Sequence, residues 1–152
     1  MNNDGSIDPP LYPLTQFVTI TSAQLLALHT TPAILIPAPV ASGLFITPQY
    51  YTVIYNAGST PYSGTTSNGF FEFGWGDTTT DINTNMVGVV YDTGFVDQAT
   101  SQIVLSGSGT PSPGLPLSSV VNKNISIYLN TDTLTLGNGT LDFVISYLIM
   151  QS

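Results

Sequence analysis

Leu141, Phe143, Ile145, Tyr147 and Ile149 stand at every second position near the end of this chain, the spacing that puts side chains on one face of a β-strand. Val144, Leu148 and Met150 make the other face apolar as well. A strand apolar on both faces is expected to be covered on both, either centrally in a sheet or at a subunit contact. Upstream, Ile125, Ile127 and Leu129 alternate with Ser126, Tyr128 and Asn130. Leu134 and Leu136 alternate with Thr133 and Thr135, and Gly137-Asn138-Gly139 supplies the positive-φ residues of a tight hairpin. A chain patterned this way builds sheets.

The same signals recur along the chain. Gln16–Thr21 places Val18 and Ile20 on one face. Ala33–Ile36 is a short apolar run between prolines, and Leu44–Thr47 and Tyr50–Tyr55 are rich in β-branched and aromatic residues. Pro48 between them marks a bulge or a sheet edge. Phe70–Trp75 sets Phe71 and Phe73 against Glu72 and Gly74, and Met86–Tyr91 and Ile103–Leu105 follow. Gly107–Pro116 is a loop by composition. One helix is predicted: Thr21-Ser22-Ala23-Gln24 fits a capping box, Leu25, Leu26 and Leu28 give it an apolar face, and Pro32 stops it. The reading is an all-β protein, an antiparallel β-sandwich of about eight strands and jelly-roll-like, with one short α-helix.

Residues 1–13 read as an extended N-terminal arm, because Pro9, Pro10 and Pro13 oppose regular pairing. Ile7, Leu11 and Tyr12 are its apolar contacts, candidates for clamping a neighbouring subunit. Residues 14–152 form a single β-sandwich domain. No secretory signal is read at the N-terminus and no run of about 18 apolar residues is present, so synthesis in the cytoplasm is the expectation.

Composition narrows the function. One lysine, no arginine and nine acids give a net charge of −8, and charged residues are 7% of the chain against about 25% in ordinary soluble domains. A nucleic-acid binder neutralises phosphates with Lys and Arg, so no nucleic-acid partner is expected. Adhesion to an anionic membrane is excluded on the same ground. Without cysteine there is no disulfide or thiolate metal site. Lys123 is the single trypsin site, protected if it lies in a paired strand.

Catalytic material is sparse. His29 is the sole histidine, and no G-x-S-x-G elbow accompanies it. Placed just after the predicted helix, it suits the helix dipole. Glu72 with Asp77 or Asp81, beside Trp75, is the only carboxyl pairing proposed for glycoside hydrolysis, and Asp77-Thr78-Thr79-Thr80-Asp81 reads as solvated acids of a hairpin loop. That stretch also lacks the alternating acids of a calcium loop. A cation on a trimer axis, held by three copies of one Asp, would leave no pattern to read. Asn124-Ile125-Ser126 and Asn138-Gly139-Thr140 match the glycosylation sequon in a chain rich in such residues. The expectation is no enzyme, no catalytic residue, no metal and no cofactor. Trp75, Tyr50, Tyr51, Tyr55 and Tyr62 are candidates for stacking on sugars or, alternatively, for core and interface packing.

The stretch VTITSAQLLALHTTPAILIPAPVASGLFITPQYYTVIYNAGSTPYSG, Val18–Gly64, resembles small virion proteins of tailed bacteriophages, cyanophages among them. The segments DTGFVDQATSQIV and GNGTLDFVISYLIM fit the same pattern. The resemblance implies a capsid cement or decoration protein: a jelly roll that assembles as a homotrimer, sits on the capsid exterior and binds the major capsid protein. It also implies an N-terminal arm that touches the shell. The alternative is a tail-fibre, baseplate or other carbohydrate-binding β-sandwich module.

Overall fold

The computed structural model describes residues 12–106 and 114–152. Its elements in chain order are β1 (Leu14–Ile20), α1 (Ser22–Ala27), β2 (Ala33–Ile36), β3 (Leu44–Asn56), β4 (Phe70–Trp75), α2 (Thr79–Thr84), β5 (Met86–Tyr91), β6 (Gln102–Ser106), β7 (Ile125–Asn130) and β8 (Thr140–Gln151). A single 3-10 turn, Leu117–Ser119, precedes β7. The strands form two four-stranded antiparallel sheets, ordered β1-β8-β3-β6 in sheet A and β2-β7-β4-β5 in sheet B. Of consecutive strands only β4 and β5 share a sheet; every other connection crosses to the opposite layer. Eight strands alternating this way between two sheets make a jelly roll.

The alternation read from sequence sets the core. Sheet A turns Val53, Tyr55, Leu141, Phe143 and Ile145 inward, and sheet B answers with Phe71, Phe73, Ile125, Ile127 and Leu129, all buried. Tyr51 meets Phe73 edge-on with ring centroids 4.4 Å apart, and Phe73 meets Phe143 at 6.1 Å. Such edge-to-face pairs each add about 0.5–1.5 kcal/mol beyond the area they bury. β8 runs between β1 and β3, a central position within sheet A, while its outward residues Val144 and Leu148 are only half-buried.

Pro48 sits at a register shift between Pro48 and Tyr50. It can donate no ladder hydrogen bond. The structure meets that need by pairing β6 only with Tyr51–Tyr55, leaving the Pro48 half of β3 with β8 as its one neighbour. The capping box forms as read: Thr21 accepts from the Gln24 amide, and Gln24 returns a bond to the Thr21 amide at 2.9 Å. Leu25 and Leu28 seal α1 onto the core.

The structure departs from the sequence reading in places. The 77–81 stretch does lie in the connection of a hairpin, between the antiparallel β4 and β5, but that connection is partly helical: Thr78 caps a second helix, α2, by accepting from the Asp81 amide at 3.1 Å, and Ile82 anchors that helix in the interior. The fold therefore has two short helices. Thr133–Leu136 is not a strand, and Gly137-Asn138-Gly139 closes no hairpin, because β7 and β8 belong to different sheets. Residues 131–139 are the crossover between them, in which Leu134 is buried, Leu136 is exposed, and Thr135 makes one isolated bridge to Ser63. Glu72 alternates with Phe71 and Phe73, yet it is buried rather than solvated, because α2 lies over that face of sheet B. Lys123 lies in the turn before β7, outside any strand.

Candidate functional site

Sheet A presents an outer face with few charges. Antiparallel register aligns its outward residues in rows across the sheet. One row runs Phe17, Val144, Thr52, Leu105; the next runs Thr19, Asp142, Ile54, Ile103; Tyr50 extends the face beside Ser146. Phe17, Leu105, Tyr50 and Ile103 are 72%, 73%, 63% and 59% exposed, far more than isolated surface apolar residues require. Asp142 is the acid of these rows, and its oxygens are taken up by the Thr19 hydroxyl at 2.5 Å and the Asn56 amide at 2.7 Å. Between β1 and β3, across β8, Phe17, Ile54, Asp142 and Val144 line a shallow groove of about 260 Å³.

The apolar surface continues around one side of the sandwich. β6 ends sheet A and β5 ends sheet B, and Val89, Tyr91, Ile103 and Val104 line a hollow of about 320 Å³ there. Open sheet edges are ordinarily blocked by lysine, proline or a bulge. The β6 edge carries Ile103 and Leu105 instead.

The sequence-predicted contact residues divide. Ile7 and Leu11 lie outside the described residues. Tyr12 is 75% exposed directly before β1. Among the proposed sugar-stacking aromatics, Tyr51, Tyr55 and Tyr62 are core residues. The Tyr62 hydroxyl donates to the Gly139 carbonyl at 2.7 Å, and burial pushes it up to about 12. Trp75 is half-buried and donates its Nε1–H to the Ile46 carbonyl at 3.0 Å, bridging the two sheets. Tyr50 alone of the five is strongly exposed, on the face of sheet A.

His29 stands exposed beyond the end of α1 and lines a polar pocket of about 420 Å³ with Thr79, Asn83, Asn130 and Thr131. Tyr128 and Glu72 form a buried network behind it. Glu72 accepts from the Tyr128 hydroxyl and, at 2.8 Å, from the Asn130 amide; Asn83 in turn donates to Tyr128 at 3.1 Å. Burial and then the bond to Glu72 push the Tyr128 phenol up to about 12. Both Glu72 oxygens are engaged in holding α2 and β7, so it is not free to act as a catalytic acid with the exposed Asp77. No lining residue is a carboxylate or serine, so His29 has no triad partner in this pocket.

A second acid cluster escapes sequence reading altogether. Asp92, after β5, and Asp132, after β7, are both buried and meet beside Gly69. Asp132 accepts from the Thr66 amide at 2.5 Å and its hydroxyl at 2.9 Å, and Asp92 accepts from the Thr93 amide at 2.6 Å. Burial first, and then Asp132 beside it, push the Asp92 carboxyl up to about 6. No local signal marks the pair, because only the fold brings the two loops together. The Glu72 network had a signal: an acid inside the apolar run Phe70–Trp75, in register with Tyr128.

No protein-family model matches this chain, and no curated protein matches it at a significant level.

Proposed function

We propose that this protein is a structural virion component, a cement or decoration protein that binds the outside of a phage head as a homotrimer and stabilises the shell through the major capsid protein. The observation that carries this reading is the largely apolar face of sheet A, with Asp142 as the acid in its rows, continuous with the β5–β6 side. A monomer has no use for Phe17, Tyr50, Ile103 and Leu105 in water. A neighbouring copy and a capsid surface do, because burial of apolar area drives association. With Asp142 saturated by Thr19 and Asn56, two such faces can meet despite the chain's net charge of −8. Many weak contacts made by a trimer then act together through avidity. The acidic composition suits the exterior of a shell whose interior holds DNA.

Co-sedimentation with capsids lacking this protein, followed by cryo-EM, tests the reading. The expected result is regular density on the outer head surface from trimers. Density on the tail alone overturns it. Deleting residues 1–13 is expected to preserve the trimer and weaken shell binding; unchanged capsid occupancy removes the clamp role from the arm.

A second reading, a glycan-binding module of a tail fibre or baseplate, is favoured by one feature. The pocket around His29, Asn83 and Asn130 is lined by hydroxyl, amide and imidazole groups with Tyr128 behind them, a polar set suited to a saccharide. Binding on a glycan array that Asn83→Ala abolishes would establish it.

A further inference from the structure

Asp92 is fully buried, and its Oδ2 has no hydrogen-bond partner. That oxygen and Oδ2 of Asp132 converge on one point: a Cβ added at Gly69 would overlap both. Glycine there is what lets the two carboxylates close on each other. The chain's one lysine does not answer them, since Lys123 precedes β7 and Asp132 follows it, so the strand's length separates the two. The turn that delivers Asp132 is also unusual. Thr131 has φ +73°, a left-handed conformation that β-branched residues rarely adopt.

We propose that Asp92 and Asp132 form a calcium site that ties together three loops at one end of the sandwich: 66–69 before β4, 92–93 after β5 and 131–132 after β7. A divalent cation between the carboxylates supplies the partner that Oδ2 of Asp92 lacks and cancels the repulsion of two buried charges. The ligand chemistry selects a hard ion. Among the described residues no three His, Cys, Asp or Glu side chains gather, so a nitrogen- or sulfur-seeking metal has no ligand set. Neutral oxygens are close instead: the Thr66 hydroxyl already bonds Asp132, and the Thr93 hydroxyl bonds the Thr66 carbonyl at 2.5 Å. Calcium accepts such mixed carboxylate, hydroxyl and carbonyl sets, whereas magnesium keeps several waters that a fully buried Asp92 leaves little room for.

The test is calcium chloride titrated into the EDTA-treated full-length protein, read by calorimetry and thermal melting. The expected result is saturable one-to-one binding with a rise in Tm of about 5–10 °C at calcium 100-fold above Kd. Asp92→Asn and Asp132→Asn should each weaken binding about tenfold or more, and the exposed Asp77→Asn should not. Should a variant fail to fold, amide NMR of the wild type decides, with calcium shifting Thr66, Gly69 and Thr93 first. Absence of heat and of any Tm change up to about 10 mM calcium overturns the site. So do unaltered binding in folded Asp92→Asn and calcium-induced shifts confined to other residues. In that event the pair holds a shared proton, and stability follows pH identically with and without calcium.

Discussion

Glu72 in sheet B and Asp92 just after its strand β5 are both buried acids, yet Glu72 has a donor for each oxygen while Asp92 has donors for only one. Glu72 sits mid-strand under α2, where β7 brings Tyr128 and Asn130 into register beside it. Asp92 sits at a strand end, where the loop from β7 brings a second acid. Burying a carboxylate without a cation is tolerable when neutral donors surround it and costly when another carboxylate does. The first arrangement builds structure. The second waits for a proton or an ion.

The largest expected effect tests the structural half of that contrast. Glu72→Leu removes the acceptor from the Tyr128 hydroxyl and the Asn130 amide together, leaving the buried Tyr128 donor without a partner beneath α2. Loss of charged hydrogen bonds with an orphaned buried partner should cost about 3 kcal/mol in urea unfolding. A cost under about 1 kcal/mol would show that α2 does not depend on the network.

The next effect reverses the sign. Asp92→Asn replaces one of two facing carboxylates with an amide that can donate to Asp132. In EDTA at pH 8 it should stabilise the fold by about 1–2 kcal/mol. The pH profile of the wild type follows from the same pair. The Asp92 carboxyl is raised from 3.8 when unfolded to about 6 when folded, so the folded state holds its proton more tightly. Stability from this group is fully present below about pH 4 and is lost as pH rises through about 6, on the order of 3 kcal/mol in total. Urea melts in EDTA between pH 4 and pH 8 measure this, with Asp92→Asn flattening the curve. A wild-type profile that instead rises steadily across that window would break the contrast with Glu72.

These acids also show how far the sequence could be read. Alternation marks strands such as β7, since period-two burial is a local property of residues such as Ile125, Ile127 and Leu129; Ala33–Ile36 and Met86–Tyr91 read as strands only by their apolar runs, and β3 reads as two pieces because Pro48 interrupts it. The capping box at Thr21 was legible because its partners lie three residues apart. Thr78 and Asp81 have the same spacing, but amid threonines and glycines they read as a loop. Alternation at Leu134 and Leu136 misled because it reports faces, not hydrogen-bond partners, and a crossover between sheets borrows the same pattern for one buried leucine. The Asp92–Asp132 meeting was illegible for a deeper reason: two turn acids are the commonest acids in any sequence, and only the jelly-roll connectivity closes one over the other. The aromatics offered as sugar platforms were read by type, and the type serves a core as well as a surface.

The smallest effect on folding belongs to the face of sheet A, and there it is the absence of an effect that is informative. Leu105 is 73% exposed on the edge strand β6, paired with Thr52 on its one neighbouring strand. Leu105→Lys places a solvated charge where edge strands ordinarily carry one, and should change unfolding free energy by less than about 0.5 kcal/mol. In an assembly the same lysine would be driven into an apolar interface without a partner, which association cannot absorb. The variant should therefore melt like the wild type while losing self-association by analytical ultracentrifugation and binding to capsids. Phe17→Ser, at the far end of the same row, should behave likewise with a smaller loss, since it removes apolar area without adding charge. If both variants assemble and bind as the wild type does, the face of sheet A is simple exposed surface. The contacts would then have to come from elsewhere, with Tyr12 and the arm before it the next place to look.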